Sequence, residues 1–247
     1  MYHTKTFFLL IFLAQSLIFS TSAWAEQQNC TIEQRLCVIK SMEAEAALID
    51  NTAWRDQTYR EIAKTLAFEG KTDDAIALID KIETPDTKAM TIRGIGMAAA
   101  DRQYTQDQYN VIFKKLRAKA ELIKHPPSYA IALTYIAMAQ AFAKDDEGAW
   151  KTASEMEKDS LRHKAYGETA EIQAERGDFE AAHKSIEFID SLAYRNKAYT
   201  TVAKILADKG HLDLAYKMAQ DITNPYKKTE ALQYILDAQK PRDIPHQ

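Results

Sequence analysis

The stretch Arg162–Lys227 reads RHKAYGETAEIQAERGDFEAAHKSIEFIDSLAY followed by RNKAYTTVAKILADKGHLDLAYKMAQDITNPYK, two units of 33 residues laid end to end. Arg162-His163-Lys164-Ala165-Tyr166 is answered by Arg195-Asn196-Lys197-Ala198-Tyr199. Ala170, Gly177, Ala182 and Ile189 are answered by Ala203, Gly210, Ala215 and Ile222. A fixed period of this size marks a stacked array, because one such unit cannot bury its apolar face alone.

The pattern extends in both directions. Arg55 opens a unit with Tyr59, Ile62, Ala63, Leu66, Gly70, Ala75, Ile79 and Ile82. Lys88 opens the next with Ile92, Ile95, Gly96, Ala99 and Ile112, and Tyr129 another with Leu133, Ile136, Ala137, Ala141, Ala149 and Met156. Lys228 opens a last unit that stops after one helix, with Leu232, Ile235 and Ala238. The starts fall at 55, 88, 129, 162, 195 and 228, so one step is 41 residues and the others 33. Within a unit, apolar residues recur at helical spacings of three and four. A break follows at Gly70, Gln103, Lys144, Gly177 or Gly210, and then a second helical run. Each unit is therefore read as helix, tight turn, helix. Small residues at Ala63, Ala137, Ala170 and Ala203 suit close helix approach. The acids Asp73, Asp74, Asp145, Asp146, Glu147 and Asp178 stand where second helices begin and suit the helix dipole. The basic residues at unit starts (Arg55, Lys88, Arg162, Arg195, Lys228) read as structural, placed to offset carbonyls at the end of the preceding helix.

These residues resemble the tetratricopeptide repeat. In the fifth unit Tyr199, Val202-Ala203, Gly210, Ala215 and Ala219 fall at that family's offsets, and in the first unit Tyr59, Ile62-Ala63, Gly70, Ala75 and Ile79 do. The period is one residue short, Leu66, Gln173 or Leu206 replaces the family's second Tyr, and the closing Pro is displaced or absent. The resemblance, over 55–239, implies an all-α fold: a right-handed α-α superhelix, a TPR-like solenoid of about five helix hairpins with N- and C-terminal capping helices. It also implies binding of a protein or peptide, and brings no catalytic residue.

Residues 1–25 read as a cleaved secretory signal: Lys5, an apolar run Phe7–Phe19, and the small-residue site Ala23-Trp24-Ala25. That run is shorter than the roughly 20 residues a membrane span needs, and no second long apolar run follows. A periplasmic or secreted protein without stable membrane insertion is expected. Residues 26–54 form a capping segment, with Val38, Ile39, Met42, Ala46 and Ile49 at helical spacing, and 240–247 read as a disordered tail. Cys30 and Cys37 are the only cysteines. In an exported chain a pair suggests a disulfide. Against it, Thr31-Ile32-Glu33-Gln34 reads as a capping box, and six residues of helix rise about 9 Å, more than the roughly 7 Å between Cα atoms that a disulfide tolerates. Both readings stand at this point.

The eight extra residues of the 41-residue unit are placed as two added turns, about 12 Å, on its second helix, since no Gly or Pro falls between Tyr104 and Lys124. His125-Pro126-Pro127 ends that helix, with Ser128 placed to cap the next. The run is basic (Lys114, Lys115, Arg117, Lys119, Lys124, opposed by Glu121) and is either a solvated face or a contact for an acidic partner.

The formal net charge of −3 argues against nucleic acid as partner. No His-Glu-x-x-His, phosphate-cradling glycine loop or Gly-x-Ser-x-Gly occurs. No catalytic residue, metal or cofactor is expected. In the family resembled, first helices line the concave face. Transferring those offsets gives Arg60, Lys64 and Phe68 in the first unit, Met90, Arg93 and Met97 in the second, and Ile131, Thr134, Met138 and Phe142 in the third. The later units give Lys164, Glu171, Glu175, Lys197, Lys204 and Asp208, read as ordinary solvated polarity. The apolar strip bordered by Arg60, Lys64 and Arg93 marks a binding groove; packing between units is the alternative. Two other functions stay open: a helical envelope hydrolase or lyase using groove acids, and a self-assembling structural protein.

Overall fold

The computed structural model describes residues 30–239. The signal and tail readings lie outside the described residues. Over those residues the chain is all helical, with twelve α-helices, one 3-10 turn and no strand. After α1 (Arg35–Ala46) come five hairpins: α2 (Thr52–Phe68) with α3 (Thr72–Leu78, continued by the 3-10 turn Ile79–Lys81), α4 (Pro85–Ala100) with α5 (Gln106–Glu121), α6 (Pro126–Phe142) with α7 (Asp146–Ser154), α8 (Asp159–Glu175) with α9 (Phe179–Glu187), and α10 (Leu192–Asp208) with α11 (Leu212–Gln220). A lone α12 (Pro225–Gln239) follows. First helices pack in succession, α2 on α4, α4 on α6, α6 on α8, α8 on α10 and α10 on α12. Each second helix packs on its own first helix and on the next one. Every substantial contact joins helices at most two places apart in the chain. Among the described residues no helix is long and apolar enough to cross a membrane.

The turns explain why a 33-residue period was visible. In four hairpins the second residue after the first helix takes a left-handed conformation: Gly70 (φ 76), Lys144 (φ 61), Gly177 (φ 83) and Gly210 (φ 80). Each turn closes with the same bond pair, as in Gly210 N–H to Ala207 O (2.9 Å) and His211 N–H to Leu206 O (2.8 Å). The second hairpin differs. Asp101–Thr105 is a longer turn without a left-handed residue, and Thr105 and Gln108 form a capping box that opens α5. Asp145 and Asp178 cap α7 and α9 by accepting from Gly148 N–H (3.0 Å) and Ala181 N–H (3.1 Å).

First helices begin three residues before the unit starts read from sequence, because caps and first-turn prolines carry no apolar periodicity. The basic residue thus sits in the first turn and reaches back. Arg55 donates to Ile49 O (3.2 Å), Arg162 to Met156 O (3.1 Å), Arg195 to Ile189 O (2.7 Å) and Lys228 to Gln220 O (2.6 Å). The next residue of α2, the fully buried Asp56, accepts from Glu83 N–H (3.1 Å) and Thr84 N–H (2.7 Å). Asn196 does the same for Thr223 N–H (2.8 Å). These contacts fix where each next unit enters.

The core runs along the row of first helices: Ile62, Ile95, Ile136 and Val202 are at most 1% exposed, and Ala63, Ala137, Ala170 and Ala203 are fully buried. Burying one such isoleucine contributes about 2–3 kcal/mol. A Cβ on Gly96 would come within 2.9 Å of the Ala139 Cβ, so α4 and α6 approach too closely for any side chain there. The extra length of the long unit lies mainly in α5, 16 residues against 9 in α7, α9 and α11.

Two local readings change. Cys30 and Cys37 are bridged, with Cα atoms 5.7 Å apart. The capping-box reading of Thr31 gives way: Thr31–Gln34 is a turn, closed by Gln34 N–H to Thr31 O (2.9 Å), and the helix starts only at Arg35. The late start keeps the two cysteines close. Ser128 is not a helix cap either. His125 holds that position with Pro126 as first helical residue, and the fully buried Ser128 hydroxyl donates to Asp86 and meets His125 Nδ1 at 2.6 Å.

Candidate functional site

The transferred groove residues separate into two groups. On α2, Arg60 pairs with its neighbour Glu61 (2.7 Å), while the Lys64 ammonium stands 6.0 Å from the centre of the exposed Phe68 ring. The second group converges. A cleft of about 270 Å³ is lined by Arg93 from α4, by Ile131, Thr134, Tyr135 and Met138 from α6, and by Leu161, Lys164 and Glu168 from α8. Arg93 lies over the Tyr135 ring (5.3 Å), and the Tyr135 hydroxyl donates to Met90 Sδ (3.4 Å). Met97 and Ile131 are half-buried against the main core. Met138 packs on Ala137, Ala141, Ala149 and Ile172 while keeping part of its surface in the cleft. Phe142, at the end of α6, is exposed and does not line it.

Tyr135, Leu161 and Glu168 were not singled out from sequence. Tyr135 and Glu168 lie one position past the offsets used, at the edge of the helix face. Lys164, read as ordinary polarity, is part of the wall. Other later-unit charges are engaged: Lys204 with Glu230 (2.5 Å), Lys209 with Glu175 (3.1 Å), and Asp208 with the Tyr234 hydroxyl (2.8 Å). Lys204 and Lys227 together hold the Glu230 carboxyl down at about 2.

Glu171, one turn beyond Glu168, has its carboxyl pushed above the usual range, by burial first and then by Glu168 and Glu175, with Lys197 opposing. The folded chain thus holds this proton at pH values where the unfolded chain has released it. Its contribution is fully present below the unfolded value and is lost as pH rises through the raised folded one. Glu171→Gln is accordingly expected to raise the melting temperature at pH 7 by about 1–3 °C and to change nothing at pH 4. A calorimetric scan at both pH values checks this, and a lower melting temperature at pH 7 overturns it.

The basic helix α5 spends most of its charge within the molecule. Lys115 pairs with Asp73 (2.7 Å), Lys119 with Asp80 (2.5 Å), and Arg117 with Glu155 (2.7 Å) and Glu121 (3.2 Å). The Asp86–Ser128–His125 contact is not a nucleophile arrangement: the serine is buried and gives its proton to the carboxylate rather than to the imidazole. Among the described residues no cluster of three or more metal-ligating side chains occurs. No protein-family model matches the chain, and no curated protein or solved structure matches it significantly.

Proposed function

We propose that this chain is an exported solenoid, a right-handed α-α superhelix on the plan of the tetratricopeptide array, that holds a segment of a protein partner against its first-helix row. The observation that carries the reading is the cleft between α4, α6 and α8, where an apolar floor (Ile131, Met138, the Tyr135 ring) meets Arg93, Lys164 and Glu168, charges without an ion pair among the described residues. An apolar patch rimmed by charge suits protein recognition, and methionine adapts to varied surfaces. The Cys30–Cys37 bridge supports export, since such bonds persist in oxidising compartments. Protein recovered from the cell envelope with an intact mass starting at Glu26 checks that part, and full-length chain in the membrane fraction refutes it.

The groove is tested with Arg93→Glu and Met138→Asp. Both are expected to weaken capture of the co-purifying partner at least about tenfold, roughly the worth of one interface anchor, with helicity and melting temperature nearly unchanged. Unchanged capture by both moves the site elsewhere. Unfolding by Met138→Asp assigns that residue to the core.

A second reading, hydrolase or lyase, has one observation in its favour: the Glu171 carboxyl is raised by burial beside Glu168, and a carboxyl raised in this way suits a general acid. Turnover of a cell-wall or glycan substrate that disappears in Glu171→Gln decides for it.

A further inference from the structure

The third unit breaks a rule that its neighbours keep. Where the other units place Arg55, Lys88, Arg162, Arg195 and Lys228 in the first turn, it has Tyr129. In the arginine-bearing units the guanidinium has two kinds of partner. One is the carbonyl six residues back, as with Arg55 on Ile49, Arg162 on Met156 and Arg195 on Ile189. The other, in two of the three units, is an acid 28 residues on, at 2.5 Å for Arg55 and Glu83 and 4.0 Å for Arg162 and Asp190, although Arg162 lies closer to Asp159 (2.8 Å) and Arg195 has Thr223 at that place.

Counted from Tyr129, the same register gives the carbonyl of Ile123 and the carboxylate of Glu157. Both are left without the usual partner. The prolines 126 and 127 have no N–H to offer the Ile123 carbonyl, and no hydrogen bond among the described residues reaches it. Glu157 has no ion pair among the described residues. Where the guanidinium would lie there is instead a cavity of about 540 Å³, lined by Ile123, Tyr129, Leu133, Met156, Glu157 and Leu161 among others. Its size is that of an ordinary ligand pocket. Leu133 and Met156 make a buried apolar floor, and the half-buried Tyr129 supplies an aromatic wall, a surface of the kind that suits a planar cation, with the chain's own Arg117 interacting with it from α5. Lys124, Lys158 and Glu155 also stand on the rim, and Glu155 is engaged by Arg117.

We infer that this cavity takes an alkylguanidinium from outside the chain, the arginine side chain of a bound peptide, in the place the unit's own arginine occupies elsewhere. The guanidinium fork matches a carboxylate and a carbonyl together, which an ammonium does less well. The site is separate from the Arg93 cleft, although Leu161 lines both, and it does not depend on that cleft being the partner groove.

The test uses the full chain and capped tripeptides Leu-Arg-Leu, Leu-Lys-Leu and Leu-citrulline-Leu, with free arginine as a fourth probe, read by calorimetry. The arginine peptide is expected to bind at least about tenfold tighter than the citrulline one, the effect of removing one charged partner, and tighter than the lysine peptide and free arginine. Glu157→Gln is expected to erase the preference. Tyr129→Arg, which supplies the missing group in cis, is expected to abolish binding and to raise the melting temperature. Equal binding of the arginine and citrulline peptides, or no binding of either, overturns the inference. Tighter binding of free arginine than of the peptide overturns the peptide source while keeping the guanidinium. If Tyr129→Arg fails to fold, the Glu157→Gln result decides alone.

Discussion

Gln173→Ala is expected to lower the melting temperature by roughly 6–12 °C, the equivalent of about 3 kcal/mol in a chain of this size. Gln173 is fully buried on α8 and joins two units through its amide. Its Nε2 donates to Asp146 (2.6 Å), and its Oε1 accepts from the Ser185 hydroxyl (2.5 Å), which in turn accepts from Trp150 Nε1 (2.7 Å). Asp146 also receives Arg176, whose other nitrogen donates to Ala141 O (2.5 Å). Truncation opens a cavity and leaves the buried Ser185 hydroxyl and one Asp146 oxygen without their partner, which costs more than the bonds themselves contributed. A thermal melt followed by circular dichroism reads the effect, and a melting temperature within 2 °C of the parent would show the network to be dispensable.

Gly210→Val is expected to cost about 2 kcal/mol, while Lys209→Ala beside it is expected to stay within about 0.5 kcal/mol. A Cβ added at Gly210 would meet nothing within 4 Å, so the penalty is conformational: φ is +80°, a region that a β-branched residue rarely enters. The third hairpin supplies the reciprocal case. Lys144 already sits in the left-handed region, so Lys144→Gly is expected to stabilise by about 0.5–1 kcal/mol. Denaturant titration of the three variants measures all of this. Equal midpoints for Gly210→Val and Lys209→Ala refute the account of the turns.

The hairpins, their period and their turns could be read from the chain because they rest on local physics: apolar spacing, a left-handed turn residue, acids at helix starts. The disulfide was visible only as one of two competing readings, since the decision turns on where a helix begins. The Gln173–Ser185 lock was out of reach. Its counterpart in the preceding unit joins Thr152 to Gln140 (2.7 Å), whereas the units at either end carry Leu66 with Leu78, and Leu206 with Met218, at the same two places. The polar pair shows in sequence only when residues 12 apart are compared across units. The cleft between α4, α6 and α8 was half legible. Helical register brought Arg93, Ile131 and Met138 to one side, but register does not say which charges are neutralised across units. For that reason the run Lys114–Lys124 looked available, while its partners Asp73 and Asp80 lie 42 and 39 residues away in the previous hairpin.

Packing whose substantial contacts stop at the second helix along has a consequence for motion. The first and last helices among the described residues, α1 and α12, bury two residues each, Ile39 with Ala46 and Ala231 with Ile235, while the middle units are tied by buried amides. Losing an end helix leaves distant contacts untouched, so opening is local and graded rather than all-or-none. Such a molecule breathes from its ends inward, and its central backbone amides exchange protons with solvent last.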